Sequence, residues 1–293
     1  MVGQKQIGFI GTGIMGGRMC RNLAKKIPIP VIAFDVEMNK VAALSDVRVE
    51  AAPSIEALVN KADIILMCLP GEPQVRAVCT QEGGILEFVR PGQTVIDLTT
   101  ATANVEREMV KLFAEKSVDY ADAPVARGVS AAEDGTLSIM VGATTEVFER
   151  IKPILETMGT DITLCGGVGT GQVVKLMNNM ILVMNVSALA EALAIGTRAG
   201  VDGELLFKTL SRGSADSFSL RKHGMQYMAK GDFPEGVFPV TYSIKDMSYA
   251  LRLADETGVN AEGARLVDKR LKEVEAAGYG KKYSPVLYKL FEE

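Results

Sequence analysis

The first 165 residues alternate short apolar runs with stretches of helical periodicity, and no other feature of the sequence constrains the fold as strongly. Short runs rich in β-branched residues suit strands that are buried on both faces of a sheet. Strands that alternate with helices build βαβ units, which predict a mainly parallel, doubly wound sheet. The predicted strands are 7–10, 31–34, 64–68, 94–98, 118–120, 137–141 and 162–164, and the predicted helices are 15–26, 54–60, 103–116 and 146–158.

The sequence changes in character after Cys165. Residues 166–171 are rich in glycine, and helical patterns then follow without a convincing strand. Residues 172–198 predict one helix of about 27 residues, roughly 40 Å long, and Gly200 predicts its end. Further helices are predicted over 205–210, 245–257 and 263–277. We therefore expect an α/β domain over residues 1–165 and an all-α domain over 166–293, with a long interdomain helix.

Composition and charge exclude several classes of protein. Hydrophobic residues make up 47% of the 293 positions, which is enough for sizeable cores and excludes disorder as the main state. The formal net charge of -4 argues against a dedicated nucleic-acid binder. The start shows no signal-peptide pattern, and polar side chains interrupt the longest apolar stretch, 177–194, which makes a membrane span costly. We expect a cytoplasmic protein that binds neither nucleic acid nor membrane.

The cysteines and the histidine narrow the possible chemistry. The four cysteines are widely spaced and form no C-x-x-C pair, so we expect reduced thiols. His223 is the only histidine. This excludes a zinc site with two histidine ligands, and we predict no bound metal. Unless His223 itself acts, a catalytic acid or base must be a lysine, a tyrosine or a carboxylate.

Residues 11–16 form a complete G-x-G-x-x-G motif between a predicted strand and a predicted helix. Gly11 allows the tight turn, Gly13 lets the backbone approach a pyrophosphate, and Gly16 lets helix and strand pack closely. The start of the helix offers N–H groups and a positive dipole end to the phosphates. A glycine-rich turn without a ligand is the alternative, but the context favours a Rossmann-type dinucleotide site. The predicted cofactor contacts of this motif are Gly11, Thr12, Gly13, Ile14 and Met15.

Asp35 ends the second predicted strand, about 20 residues beyond the glycines. A carboxylate at this place accepts hydrogen bonds from the ribose hydroxyls and repels a 2′-phosphate. The next residue is Val36, and no basic residue lies between Asp35 and Lys40. The sequence therefore predicts NAD as the cofactor and makes NADP less favoured. Asp35 can also cap the helix that starts near Glu37, and the two roles are compatible.

The long predicted helix carries one lysine among apolar residues. Gly171, Lys175, Asn178 and Asn179 share a face of that helix. Burial of a lysine is costly unless its charge is satisfied or lost. We expect Gly171 to leave room for a ligand, and the asparagines to hold the lysine and a substrate hydroxyl. Lys175 is therefore the best candidate for a general acid and base at a carbonyl oxygen, and a lysine that reaches solvent is the alternative.

Together these motifs resemble the β-hydroxyacid dehydrogenase family over essentially the whole chain. In that family a Rossmann domain precedes an all-helical domain, and the active site lies between them. The resemblance implies that Lys175 donates the proton and that Asn179 is its neighbour in substrate binding. The matching segments are 9–16, 69–70, 97–100 (Asp-Leu-Thr-Thr), 122–125 (Asp-Ala-Pro-Val), 135–137, 140–142, 171–179 and 245–246.

The resemblance also assigns residues to the nicotinamide side of the cofactor. It implies that Leu69, Pro70 and Thr100 line that side and that Lys245 reaches the cofactor. The alternative for Lys245 and Asp246 is a surface ion pair, which contributes well under 1 kcal/mol.

One motif departs from the family pattern. The family usually continues Asp-Ala-Pro-Val with Ser-Gly-Gly, which holds the substrate carboxylate, whereas this chain has Ala126, Arg127 and Gly128. The serine hydroxyl is lost with Ala126, and Arg127 brings a guanidinium with five fixed donors. Such a group matches carboxylates and also tetrahedral oxyanions, and a subgroup similar to sulfolactaldehyde reductase has arginine here. We therefore predict that Ala126, Arg127, Gly128 and Asn178 bind a small anionic substrate; alternatively Arg127 faces solvent or the ribose phosphate.

These observations predict an NAD(P)-dependent oxidoreductase that interconverts a small anionic aldehyde or ketone and its 3-hydroxy acid, or a sulfonate or phosphonate analogue. A conventional carboxylate semialdehyde reductase, of the 3-hydroxyisobutyrate or tartronate semialdehyde type, is the alternative within enzymes. A non-catalytic nucleotide-binding protein is less favoured, because the lysine is present. The resemblance further implies a homodimer or homotetramer.

Overall fold

The apolar runs of the first half pair into one sheet in the computed structural model, which describes residues 5–292. The strand order is β3-β2-β1-β4-β5-β6-β8-β7, and β9 pairs with β8. The pairs from β3 through β6 are parallel, whereas β8 runs antiparallel to β6 and β7. The strands are β1 Ile7–Ile10, β2 Val31–Phe34, β3 Val49–Ala51, β4 Ile64–Met67, β5 Thr94–Asp97, β6 Asp119–Asp122, β7 Val125–Ala126, β8 Leu137–Gly142 and β9 Gly159–Gly166.

Helices cover both faces of this sheet. One buried apolar cluster includes Phe9, Leu23 and Ile139, and a second includes Ile10, Leu58 and Val95. Residues 9 and 10 are neighbours on β1 and enter different clusters because successive strand side chains point to opposite faces. The predicted doubly wound fold is confirmed. The helices are α1 Ile14–Lys26, α2 Met38–Ala42, α3 Ile55–Lys61, α4 Glu72–Thr80, α5 Ile85–Phe88, α6 Ala103–Glu115, α7 Gly128–Asp134 and α8 Thr145–Leu155.

The chain divides into two compact units, Met1–Lys175 and Leu176–Glu293. Helix α9, Thr170–Arg198, starts in the first unit and continues into the second. It has 29 residues, and Gly200 follows it with a φ of 92°, the left-handed conformation typical after a helix end. The remaining helices of the second unit are α10 Gly203–Leu210, a π-helix Leu220–Met228, α11 Val240–Glu256, α12 Glu262–Val274, a π-helical turn Glu275–Tyr279 and a 3₁₀ helix Ser284–Phe291.

The second unit has its own apolar core, in which Val186, Phe207 and Leu271 are fully buried. The expected all-helical character is confirmed, with two isolated β-bridges within the described part of this unit. Helix α9 is, among residues 5–292, the helix that is long and apolar enough to cross a membrane. Length and composition are weak evidence, since the core helix of a soluble protein also has them.

His223 lies inside the second unit. It is 5% exposed, its Nδ1 is hydrogen-bonded to the Tyr283 hydroxyl, and Phe218 packs edge-on against its ring. Burial, together with the positive charge of Lys222, lowers its pKa to about 4. His223 is therefore a neutral core residue in the native protein near pH 7.

This burial predicts a loss of stability in mild acid. The unfolded chain protonates His223 near pH 6.5, whereas the native state keeps it neutral down to about pH 4. The neutral ring therefore contributes fully to the free energy of unfolding above about pH 6.5. This free energy falls as the pH is lowered towards 4, by at most about 3 kcal/mol. Urea unfolding of the wild type and of His223→Asn between pH 4 and 7.5 measures the part of this loss of stability that depends on His223. Parallel pH profiles of the two proteins would contradict this assignment.

Candidate functional site

The sheet order reverses between β1 and β4, and the predicted cofactor residues follow the carboxyl ends of neighbouring strands. Gly11 follows β1, Asp35 follows β2, and Leu69 comes shortly after β4. In open α/β sheets ligands bind outside the carboxyl ends at such a reversal of strand order. The topology therefore brings together, at one edge of the first unit, residues that are far apart in sequence.

The three glycines of the motif have the three environments that the sequence predicts. Gly11 has a φ of 87°, and a Cβ on it would lie 2.3 Å from the carbonyl oxygen of Cys68. A Cβ on Gly16 would lie 1.9 Å from the carbonyl oxygen of Gly11. Around Gly13, by contrast, no atom lies within 4 Å of the Cβ position. The loop is thus packed on both sides and open in the middle, which fits the close approach of a pyrophosphate.

The start of α1 also fits an anion. Its N-cap residue Gly13 makes no side-chain cap, and the first turn contains no acidic residue. The positive dipole end of this helix of 13 residues is therefore not compensated by the first turn itself. Ile14 is 52% exposed.

Asp35 connects the glycine loop with the end of β2. Its Oδ2 accepts a hydrogen bond of 2.7 Å from the backbone N–H of Thr12, and its Oδ1 accepts one of 2.9 Å from the N–H of Glu37. The carboxylate thus orders the turn before α2. It is not the predicted helix cap, because the N-cap residue of α2 is Glu37 and no side chain caps this helix. Val36 is 88% exposed, and Lys40 pairs with Glu37 at 2.6 Å.

One hydrogen bond connects the segment after β4 with the segment after β5. The N–H of Leu69 donates to Thr99 Oγ1 at 3.0 Å. Within the second of these segments, the N–H of Thr99 donates to Asp97 Oδ1 at 2.8 Å. Pro70 and Thr100 are the next residues of the two segments, so both follow residues that this hydrogen bond joins within the first unit.

A buried carboxylate holds the first turn of α9. Asp122 Oδ1 accepts a hydrogen bond of 2.6 Å from the N–H of Gly169, and its Oδ2 accepts one of 2.8 Å from the N–H of Gln172. The first N–H groups of a helix lack partners within the helix. Asp122, the last residue of β6, satisfies two such groups and fixes the start of α9 against the sheet.

The expectation for Gly171 is wrong. A Cβ on this residue would lie 2.3 Å from the carbonyl oxygen of Met140 and 2.7 Å from Asp122 Oδ2. The space beside Gly171 is therefore filled by the protein itself. Glycine is needed here because α9 starts in close contact with β8, and no room for a ligand results.

Three carboxyl groups lie buried beside this helix start. Burial raises the pKa of Asp97 to about 7 and that of Asp122 to about 6. Burial, with the negative charges of Asp97 and Asp122, also raises the pKa of Glu106 well above its usual range. The sequence analysis missed these groups as site residues. Asp97 and Asp122 each end an apolar strand, and this signal points to the functional edge of a parallel sheet.

Lys175 lies on α9 and is 8% exposed. Asn178 and Asn179 follow at helical positions i+3 and i+4, which share its face of the helix. Asn179 is 5% exposed, and its Oδ1 accepts a hydrogen bond of 3.0 Å from Asn178 Nδ2. The predicted buried lysine with polar neighbours is therefore present, and the alternative of a lysine that reaches solvent is wrong for this side chain.

Asp246 joins Asn179 to Lys245 in the second unit. Asn179 Nδ2 donates to Asp246 Oδ2 at 2.6 Å, and Lys245 Nζ lies 3.1 Å from Asp246 Oδ1. Lys245 also lies over the rings of Tyr242 and Tyr249, at 5.7 and 5.3 Å. Asp246 is 3% exposed, so this is not the surface ion pair that was the alternative. Sequence reasoning missed Asp246 as the connecting residue.

The segment Ala126–Gly128 has an unusual backbone. Arg127 and Gly128 have φ angles of 84° and 78°, and the first of these is uncommon for a residue with a side chain. The Arg127 guanidinium donates to the carbonyl oxygen of Thr136 at 3.0 Å and to Thr160 Oγ1 at 3.1 Å, and it lies 2.6 Å from Asp161. The guanidinium thus has three partners within its own unit.

No cluster of three or more metal-ligating side chains occurs in the described range 5–292. The four cysteines are free, and Cys20 and Cys79 are buried.

Comparison with known proteins covers nearly the whole chain. Residues 6–167 match the NAD binding domain of 6-phosphogluconate dehydrogenase. Residues 169–290 match the NAD-binding domain of NADP-dependent 3-hydroxyisobutyrate dehydrogenase. Together the two matches cover both units.

Curated relatives and solved structures agree with these matches. The chain is 34% identical to 2-(hydroxymethyl)glutarate dehydrogenase of Eubacterium barkeri, over 98% of this chain and 95% of the relative. It is 36% identical to 2-hydroxy-3-oxopropionate reductase of Escherichia coli, over 87% of this chain and 86% of the relative. The structure of 3-hydroxyisobutyrate dehydrogenase from Mycobacterium tuberculosis with L-serine has a TM-score of 0.90 at 27% identity, over 99% of both chains. The chain therefore belongs to the β-hydroxyacid dehydrogenase family of NAD(P)-dependent oxidoreductases.

Proposed function

We propose that this protein interconverts a small 3-hydroxy acid and the corresponding semialdehyde, with Lys175 as the proton donor and acceptor. The observation that carries the proposal is a lysine only 8% exposed, one helical turn before a buried asparagine that is itself held by Asp246. An acid of this kind lowers the barrier to reduction because the carbonyl oxygen gains a proton as negative charge develops on it. The bound cofactor supplies the hydride when the carbonyl is reduced.

The neighbouring side chains orient the substrate in this proposal. Asn178 and Asn179 hold the substrate hydroxyl near Lys175, and Asp246 fixes the orientation of the Asn179 amide. A fixed amide contributes because it requires no reorganisation during the reaction. Gly11, Thr12, Gly13, Ile14 and Met15 bind the cofactor pyrophosphate, Asp35 binds the ribose, and Leu69, Pro70, Thr100 and Lys245 contact the nicotinamide half.

We propose NAD as the preferred cofactor. Asp35 provides a negative charge at the end of β2, and Val36 beside it provides no guanidinium for a 2′-phosphate. We expect kcat/KM to be at least about tenfold higher with NADH than with NADPH, and Asp35→Asn to reduce this ratio by about tenfold. Initial rates with both cofactors measure it. Asp46→Asn, which removes an exposed carboxylate of the same unit, is the matched control. An unchanged ratio in Asp35→Asn would remove Asp35 from cofactor selection.

We propose that the substrate anion is a carboxylate. The relatives named above act on carboxylate substrates by their names, and the Arg127 guanidinium is already paired with Asp161. The backbone N–H groups around Gly128, with Ala126 in place of the family serine, then hold the carboxylate. Sulfonate and phosphonate substrates remain the second candidate, because the guanidinium has five donors and its side chain is 44% exposed.

Matched substrates test this choice. We expect tartronate semialdehyde to be reduced with at least about tenfold higher kcat/KM than sulfonate and phosphonate analogues, because Asp161 already pairs with the guanidinium charge that would favour a tetrahedral anion. NADH oxidation measures the rates, and Lys175→Met provides the blank. A preference for the tetrahedral anions that Arg127→Ala abolishes would favour the second candidate. Absence of NADH oxidation with every one of these substrates would favour a non-catalytic nucleotide-binding protein.

We further propose a cytoplasmic homodimer or homotetramer that binds neither nucleic acid nor membrane. Large apolar side chains on α9 and α12 support an interface between copies, since Ile181, Ile195 and Leu266 are 54%, 69% and 50% exposed. Large apolar side chains that are exposed on a single chain are candidates for burial between copies.

A further inference from the structure

Gln172 is a fully buried amide with a partner for each of its polar atoms. Its Nε2 donates to the carbonyl oxygen of Thr99 at 2.7 Å and to Glu106 Oε1 at 2.9 Å. Its Oε1 accepts a hydrogen bond of 3.1 Å from the N–H of Ala101. The N–H of Ala101 requires an acceptor, so these partners allow only one orientation of the amide.

Two partners of the Gln172 side chain belong to the segment that is proposed to contact the cofactor. They are Thr99 and Ala101, which flank Thr100, and each contacts the Gln172 amide through its own backbone. At its other end, the backbone N–H of Gln172 donates to Asp122. Lys175 follows three residues later, on the same face of α9. All of these residues lie in the first unit, so one side chain joins the Thr100 segment to the helical turn that carries Lys175.

Glu106 extends the network away from Lys175. Tyr120 donates to Glu106 Oε2 at 2.7 Å, and the Tyr120 hydroxyl lies 3.5 Å from Asp97 Oδ2. Burial raises the pKa of Glu106 well above its usual range. The shift has this direction because an uncompensated carboxylate is costly in the core.

We propose that Gln172 is a positioning residue, which sets the distance between the Thr100 segment and Lys175 and thereby aligns proton transfer with hydride transfer. This inference rests on the proposed function, in which Lys175 handles the proton and Thr100 contacts the cofactor. Displacement of a reacting group by about 1 Å costs up to about 100-fold in rate. A single rigid amide between two fixed backbones prevents such a displacement.

The variant Gln172→Met tests the proposal, because methionine has a similar length and no hydrogen-bonding amide. Gln93 provides a matched control in the same unit. It is 1% exposed, its Nε2 donates to the carbonyl oxygens of Val59 and Ala62 at 2.8 and 2.6 Å, and its Oε1 accepts from the N–H of Arg90. Gln93→Met thus removes three similar hydrogen bonds that do not involve α9.

The measurement is kcat per NADH-binding site for tartronate semialdehyde, with the primary isotope effect of NADH deuterated at C4. For Gln172→Met we expect kcat per site to fall between about 10-fold and 100-fold, KM to change less than threefold, and the isotope effect to be at least as large as in the wild type. Gln93→Met is expected to keep the wild-type kcat per site and isotope effect. A wild-type kcat per site in Gln172→Met overturns the proposal.

A second variant covers the case in which Gln172→Met does not fold. Gln172→Asn keeps the amide but shortens its reach by one methylene, so the same direction of change is expected, and wild-type values would again overturn the proposal. Lys175→Met separates the two proposals. If Lys175→Met stays active, the proposed function fails. If Lys175→Met is inactive and Gln172→Met has the wild-type kcat per site, only the positioning role fails.

Discussion

Replacement of Lys175 by methionine is expected to lower kcat by between about 10² and 10⁴-fold, while NADH binds with an affinity within threefold of the wild type. The range is the usual contribution of a general acid or base. Methionine preserves most of the side-chain volume and removes the proton, so the change isolates the chemistry from packing. Steady-state rates of carbonyl reduction and fluorescence titration with NADH measure the two quantities.

Lys152→Met is the matched control for this experiment. Lys152 lies on α8 of the same unit, with its Nζ 5.9 Å from the Phe148 ring centre, and is half-buried. We expect this variant to retain wild-type kcat because Lys152 is not among the predicted site residues. A Lys175→Met enzyme with full kcat would transfer the proton role to another group, and the raised pKa values of Asp97 and Asp122 would make the buried carboxyl groups the next candidates.

Periodicity predicts the architecture of this chain because a parallel sheet buried on both faces leaves a strong local signal. The runs around Phe9, Ile65 and Val95 are fully buried strands, and their alternation with helices is visible without any contact information. The short strands β3 and β7 are absent from the prediction. These strands have three and two residues respectively, which are too few to show a period.

The candidate site is only partly predictable for a related reason. The motifs around Gly13 and Lys175 are local, so sequence spacing is sufficient to find them. The hydrogen bonds of Gln172 with Thr99 and Glu106 connect residues 73 and 66 positions apart, and nothing in the local pattern of α9 indicates them. The local sequence around Asp246 likewise does not indicate its partner. This residue is a buried acceptor for Asn179 and not a surface charge.

The second prediction concerns the first turn of α9, where Gly171→Ala is expected to destabilise the protein by about 3 kcal/mol or more. Alanine normally favours a helix over glycine by about 1 kcal/mol, so the expected sign is opposite to the helix propensity. The reason is contact with backbone, since the new methyl group would lie 2.3 Å from the carbonyl oxygen of Met140. A strand carbonyl in the middle of a sheet cannot move aside without breaking its own hydrogen bonds.

Gly167→Ala is the control that separates close packing from the mere presence of a methyl group in this glycine-rich segment. Nothing lies within 4 Å of the Cβ position of Gly167, and its φ is not in the left-handed region, so we expect a change in stability within about 0.5 kcal/mol. Urea unfolding gives the free energies, and kcat of the folded fraction reports on Lys175. Gly171→Ala should lose activity as well as stability, because Asp122 can no longer hold the N–H of Gln172 if α9 shifts away from β8. Equal stability of the two variants would mean that α9 does not start in contact with β8, and the position of Lys175 would then need another explanation.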